Sequence, residues 1–271
     1  MAYRHVLQTL NPEPVIIRTL DLGGDKFLDS IPTVEKNPFL GWRGIRICLD
    51  RPDKFISQLR ALLRAAKFGS ARIMLPMITG YDQIVRVRDM LDSIADNLDR
   101  EGIPRGDIPP LGIMIETPAA VLGIDLLLPH SAFVSIGSND LTQYTLAVDR
   151  GSPYVSNLFD SFHPAVIRQI NIVVSKCREA GKWVGICGQM ASDPLAIPLL
   201  LGYGVNELSV PMTLIPDVKE MISVISMNDA ESLAEKALML KSSGEIRRCV
   251  LDYVESKYPE INIGISNYKD L

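Results

Sequence analysis

The chain has 271 residues, 47% of them hydrophobic, which is enough to bury a large core in one α/β domain or in two smaller ones. Its net charge of −4, with no basic stripe, argues against a nucleic-acid partner. Four cysteines without CxxC spacing and only three histidines disfavour zinc binding and a disulfide framework, and free thiols suggest a reducing cytoplasm.

The opening MAYRHVLQTLNPEP lacks the apolar core of a signal peptide. No run of about eighteen apolar residues occurs, so no membrane insertion is expected. Val15–Arg18 is the first strand candidate. A helix follows with Ile56, Leu59, Leu63 and Ala66 on one face. Strand Arg72–Met77 precedes a second amphipathic helix carrying Ile84, Val87, Leu91, Ile94 and Leu98, with Asp82 as its expected cap. Leu111–Glu116 and Phe133–Ile136 are the next strands, then Trp183–Cys187 and Glu207–Val210. Pro118 and Pro194 are placed as first-turn prolines of helices. The chain ends in helical segments near Asp229–Lys241 and Glu245–Lys257.

Most of these strands are continuously apolar, as parallel strands covered on both faces are. Alternating strands and helices favour a parallel sheet, doubly wound or closed as a barrel. No GxGxxG follows the first strand, which weakens a dinucleotide-binding reading. The polar groups instead follow several different strands: Arg18 and Asp21, Glu116, Asn139 and Asp140, then Cys187. A TIM (β/α)8-type barrel gathers catalytic groups in that way. Six strands are legible where a closed barrel has eight, so either two are hidden or the chain is a piece of a longer protein.

The chemical groups carry plain readings as well. Glu116 and Asp140 are each explicable as helix caps. As a pair at the ends of consecutive strands they also suit Mg²⁺, which takes one or two protein carboxylates and fills its other positions with water and substrate oxygens. Arg18 ends an apolar strand, and a guanidinium buried there needs a partner, either Asp21 or Asp25 or a ligand oxyanion. Arg43 and Lys26 are surface charges or ligand contacts, and Arg150 pairs with Asp149 or with an anion. Cys187, between Gly185 and Gly188, is a small buried hydrophobe or a thiol acid for a carbanion. Cys48, Cys177 and Cys249 read as structural, and His163 as a helix-start residue beside Pro164.

Taken as strings, VIIRTLDLGGDK, NPFLGWRGIR, RIMLPMI, GIMIETPAA, SIGSNDLTQYTLAVDRG and GKWVGICGQ resemble one known family. It is the PEP-binding C-terminal domain of enzyme I of bacterial phosphotransferase systems, among the PEP-utilising enzymes. Pyruvate phosphate dikinase and PEP synthase share parts of the pattern, while GWRGIR and TQYTLAVDRG are closer to enzyme I.

The resemblance implies a Mg²⁺-dependent phosphoenolpyruvate-protein phosphotransferase built on a (β/α)8 barrel. Phosphoryl passes from PEP to a histidine of a mobile N-terminal domain and on to HPr, and pyruvate is released. It implies that Arg18 and Arg150 hold the PEP phosphate and carboxylate, with Asn139 and Asp140 assisting and Arg43 and Lys26 in the same pocket. Glu116 and Asp140 would be the Mg²⁺ ligands, and Cys187 would exchange the proton at the methylene carbon. It implies a homodimer, and a single barrel domain over residues 1–271 whose first two strands and N-terminal phosphohistidine and HPr-binding domains are absent. Such a piece is not expected to phosphorylate HPr alone. A fragment of a PEP synthase or dikinase, and a non-catalytic PEP-sensing or dimerisation module, are the alternatives. The chain departs from the family pattern at Gln189, where Glu is usual.

Overall fold

The structure, a computed structural model, describes residues 1–21 and 35–258. Helix α1 (Ala2–Leu10) precedes β1 (Val15–Arg18), and α2 (Ile45–Asp50) and α3 (Pro52–Ala65) lead to β2 (Ala71–Leu75). Helix α4 (Tyr81–Arg100) connects β2 to β3 (Leu111–Ile115), and α5 (Pro118–Leu122) and α6 (Ile124–Leu127) lead to β4 (Phe133–Gly137). Helices α7 (Ser138–Leu146) and α8 (Pro164–Glu179) precede β5 (Trp183–Cys187), and α9 (Ala196–Tyr203) precedes β6 (Glu207–Ser209). Helices α10 (Ile215–Val224), α11 (Met227–Leu238) and α12 (Ser243–Lys257) complete the described chain.

The strands are hydrogen-bonded in sequence order, β1-β2-β3-β4-β5-β6. Pairing is parallel, with Val15 opposite Ala71, Ile73 opposite Leu111 and Gly185 opposite Glu207. Parallel neighbours joined by helices are the connectivity of a (β/α) barrel, here with six strands among the described residues. Every residue of β3 and β4 is buried, which is why these strands read as apolar runs and not as alternation.

The described chain forms two compact units, one of residues 1–115 with 122–134, the other of 116–121 with 135 onward. In the first, α3 buries Phe55, Leu59, Leu62 and Leu63, and α4 buries Ile84, Val87, Leu91, Ile94 and Leu98. Full burial of one such side chain contributes roughly 1.5–3 kcal/mol. The α3 face differs from expectation. Ile56 is 38% exposed, because the buried stripe runs through Phe55 at the i, i+4, i+7 spacing, and Ala66 begins a 3-10 turn instead of extending the helix. Asp82 sits inside the first turn of α4 rather than capping it. The cap bonds run from the N–H groups of Thr79 and Gly80 to Gln83 Oε1, at 2.8 and 3.3 Å. Gly112 clears space for Phe133, since a Cβ there would lie 2.3 Å from the ring.

In the second unit, α8 buries Val166, Ile167, Ile170, Val173, Val174 and Cys177. Helix α11 lays Ala230, Ala234 and Ala237 against α9, where Gly202 admits the Ala230 carbonyl; a Cβ at 202 would meet that oxygen at 2.1 Å. Pro194 stands before α9 and not in its first turn, and Asp193 accepts there from the Leu195 N–H at 2.9 Å. His163 caps α8, its Nδ1 accepting from the Ala165 N–H at 3.1 Å. Among the described residues no helix is long and apolar enough to cross a membrane.

Candidate functional site

At the carboxyl end of β1, in the first unit, Asp21 lies between two guanidinium groups. It is 3.8 Å from Arg18 and 3.5 Å from Arg43. The burial of the two arginines reverses the expectation. The Arg18 side chain is 40% exposed, whereas those of Arg43 and Asp21 are each 8% exposed. A four-residue strand end leaves Arg18 free to turn outward, with Nη1 resting 4.0 Å from the Met114 sulfur. Arg43 instead enters the protein over the Phe39 ring, 5.8 Å from its centroid.

Gly44 makes this packing possible. Its φ is +56°, and a Cβ there would lie 2.9 Å from Met77 Cγ and 3.2 Å from Asp21 Oδ1. Met77, just past β2, is itself left-handed at φ 58°, a conformation that costs a side-chain-bearing residue about 1–2 kcal/mol. Lys26, with its neighbours Gly23, Gly24 and Asp25, lies outside the described residues.

The second unit holds Glu116, Asn139, Asp140, Arg150 and Cys187. Glu116 follows β3 and is 1% exposed. The capping role goes to its neighbour, since Thr117 Oγ1 accepts from the Ala120 N–H at 3.2 Å. Asp140, 9% exposed, lies in the first turn of α7, where the helix N-terminus favours a carboxylate. Carboxylates this buried are stabilised by cations or hydrogen bonds. Among the described residues no group of three or more His, Cys, Asp or Glu gathers as a metal cage. Carboxylates are hard oxygen donors, and as a donor type they fit Mg²⁺ better than zinc.

Arg150 is exposed and makes no ion pair among the described residues. Asp149, its expected partner, accepts from the Gly151 N–H at 2.8 Å instead. Arg150 is held through its backbone, whose N–H donates to Gln143 Oε1 at 3.1 Å. Helix α7 ends on Ala147 in the left-handed region, and the Val148 N–H returns to the Gln143 carbonyl at 3.0 Å.

Asn139 and Cys187 come together. Asn139 Oδ1 accepts from the Gln189 N–H at 3.0 Å, two residues beyond the thiol. That bond assigns the amide oxygen inward and leaves the NH₂ group as a donor suited to an anion. The neighbouring Ser138 donates its hydroxyl to the Cys187 carbonyl at 2.7 Å. Cys187 is partly exposed, whereas Cys48 and Cys177 are buried. Burial pushes both of those thiols up to about 12, and the Asp21 charge adds to the effect at Cys48. Both therefore stay as buried, protonated thiols near neutrality, whereas the Cys187 side chain is within reach of solvent.

Nothing in the sequence marks Ser138 or Gln143 as functional. The only signal there was their place within SIGSNDLTQY, since a serine before Asn-Asp and a glutamine one turn later have no chemistry of their own to announce.

Residues 1–227 match the family model described as PEP-utilising enzyme, PEP-binding domain. The phosphoenolpyruvate-protein phosphotransferase of Haemophilus influenzae is 40% identical over 255 residues, 94% of this chain and 44% of that protein. Proteins of the same name from Priestia megaterium and Mycoplasma genitalium are 41% and 44% identical over 259 and 257 residues. The chain thus spans under half the length of these relatives, about 44%. Among solved structures, a citrate lyase from Burkholderia xenovorans LB400 superposes with a TM-score of 0.48 at 18% identity, covering 75% of this chain and 69% of that one.

Proposed function

Because the chain belongs to the PEP-binding domain family of PEP-utilising enzymes, we propose that it binds phosphoenolpyruvate as part of a cytoplasmic phosphoenolpyruvate-protein phosphotransferase. The observation that carries this reading is the match itself, which runs over every candidate residue within 1–227, together with relatives at 40–44% identity that share that name. Those names favour a protein phosphotransferase over a PEP synthase or dikinase. In the whole protein, phosphoryl passes to a histidine on another domain and then to HPr for the sugar-uptake system, and pyruvate is released. Two copies pair as a homodimer, which light scattering of the whole protein tests. Cytoplasmic residence fits four cysteines that are all free thiols.

Each residue has a role under this reading. Arg150, which makes no ion pair among the described residues, offers its planar guanidinium to the phosphate or carboxylate of PEP, and the likeness to the family gives Arg18 the same task. The likeness to the family also assigns Lys26 to PEP. Arg43, buried against Asp21, acts by holding that carboxylate and so the end of β1. The Asn139 amide donates to the same anion. Glu116 and Asp140 hold Mg²⁺, which when bound neutralises charge on the phosphate. Breaking the phosphorus–oxygen bond leaves an enolate, and the Cys187 thiol gives its proton to the methylene carbon to form pyruvate. Catalysis of this kind is mostly positioning and charge neutralisation.

Calorimetric titration with PEP tests the reading, both on this chain and on the whole protein that contains it. Binding should require Mg²⁺ and fall more than about tenfold in Asp140→Asn, the scale of a lost charge-assisted contact. Failure of both forms to bind PEP in the presence of Mg²⁺ would overturn it.

A further inference from the structure

The geometry points to Ser138 as a positioning residue for the Cys187 thiol, acting with Gly188 and Asn139 as a clamp on the Cys187–Gly188–Gln189 turn. Ser138 touches nothing that reacts. Its hydroxyl, on a residue only 1% exposed, donates to the main-chain carbonyl of Cys187 at 2.7 Å. On the other side of the thiol, the Gln189 N–H donates to Asn139 Oδ1 at 3.0 Å. Adjacent residues at the start of α7 thus hold the main chain both at and beyond the thiol.

Gly188 lets the two segments close. Its φ of +93° is one that side-chain-bearing residues rarely adopt, and a Cβ there would stand 2.4 Å from Ser138 Oγ and 3.0 Å from Asn139 Oδ1. The turn is fitted against these two side chains with no room for a methyl group. Asp140, next in the chain, is a carboxylate of the proposed Mg²⁺ pair. One stretch of α7, Ser138-Asn139-Asp140, therefore serves the thiol through its first two residues, the anion through its second and the metal through its third. A shift of the thiol relative to the bound enolate would otherwise go unchecked, and misplacement by about 1 Å can cost a reaction about a hundredfold.

This inference rests on the reading of Cys187 as the proton donor, and the experiment separates the two. The thiol is followed by its alkylation rate with iodoacetamide in a Cys249→Ser background, where the buried Cys48 and Cys177 stay unlabelled. Ser138→Ala should raise the Cys187 rate about fivefold, the scale of one lost hydrogen bond, while thermal melting confirms the fold. Gly188→Ala should act in the same direction and serves if Ser138→Ala does not fold; Ser138→Thr, which keeps the hydroxyl, should stay nearer the parent.

The second readout is exchange of pyruvate methyl protons in D₂O with Mg²⁺ present. There the thiolate takes a proton from the methyl carbon, exchanges it with solvent and returns a deuteron to the enolate. Ser138→Ala should lower the exchange kcat about tenfold with little change in KM. An alkylation rate within about twofold of the parent in both Ser138→Ala and Gly188→Ala would overturn the clamp, because a hydrogen bond that holds the turn must show in its opening. Exchange persisting unchanged in Cys187→Ser would overturn the proton-donor reading, whereas the alkylation result would still decide the clamp.

Discussion

Gln143 holds Arg150 by its main chain, accepting that residue's N–H on Oε1 at 3.1 Å from a side chain that is 3% exposed. The same glutamine receives the Val148 N–H on its carbonyl at 3.0 Å. Gln143→Met keeps the volume and removes the acceptor. PEP affinity should fall about fivefold and stability by about 1 kcal/mol, as one hydrogen bond is worth. Calorimetry and urea unfolding measure the two effects. Unchanged affinity would show that Arg150 does not depend on this bond.

Asp21 separates the two arginines of the first unit. Asp21→Asn takes a charge away from a buried guanidinium, Arg43, and should cost about 3 kcal/mol in urea unfolding. Arg18→Met breaks only the exposed partner's contact and should cost less than about 1 kcal/mol. PEP affinity should move the other way, with Arg18→Met losing more than about tenfold.

Gly202→Ala places a methyl group against main chain, since the nearest atom is the Ala230 carbonyl oxygen at 2.1 Å. Backbone cannot swing aside as a side chain can, so α9 and α11 must separate. A loss of about 2–3 kcal/mol is expected, read as a lower midpoint in denaturant at unchanged slope.

Asp160 links α12 to the loop before α8. Burial pushes its carboxyl upward, but hydrogen bonds from Arg247, Ser243 and the Phe162 N–H outweigh that and hold it below the usual carboxylate range. Both Asp160 oxygens accept from Arg247, at 2.6 and 2.8 Å, and the guanidinium lies 4.6 Å from the Phe162 ring centroid. A lowered folded value means that this stability is complete above the unfolded carboxyl value of about 3.9 and is lost as pH falls through the folded one. Arg247→Met should cost about 1–2 kcal/mol at neutral pH, a figure reduced for partial exposure. The gap between parent and variant should close below about pH 4, as melting curves across pH would reveal.

Thiol labelling of the native protein at pH 8 should modify Cys187 and Cys249 and spare Cys48 and Cys177, whose thiols burial has pushed up to about 12. Mass spectrometry of the digested protein reads the pattern. Early modification of Cys48 would contradict its burial on the inner face of α2.

The strands were legible because parallel strands buried on both faces leave long apolar runs, and Val15–Arg18 and Trp183–Cys187 agree with the sequence residue for residue. Helix faces were less so. A periodicity of 3.6 cannot choose between Phe55 and Ile56 as the inward position, and the larger aromatic takes it. Among the site residues, the sequence marks carboxylates and cations after strands but not which way a side chain turns. Arg18 and Arg43 therefore read as each other's opposite. Ser138 and Gln143 act through main-chain groups that any residue possesses, so only distance reveals them.

The strand order has a consequence for how the chain is made. Each strand lies beside the one preceding it in sequence, so a polypeptide leaving the ribosome finds the docking edge for every new strand already synthesised. Pairing with the preceding strand closes the shortest loop open to each new strand, and loop closure is what slows the folding of parallel sheets. The protein can be assembled in the direction in which it is translated.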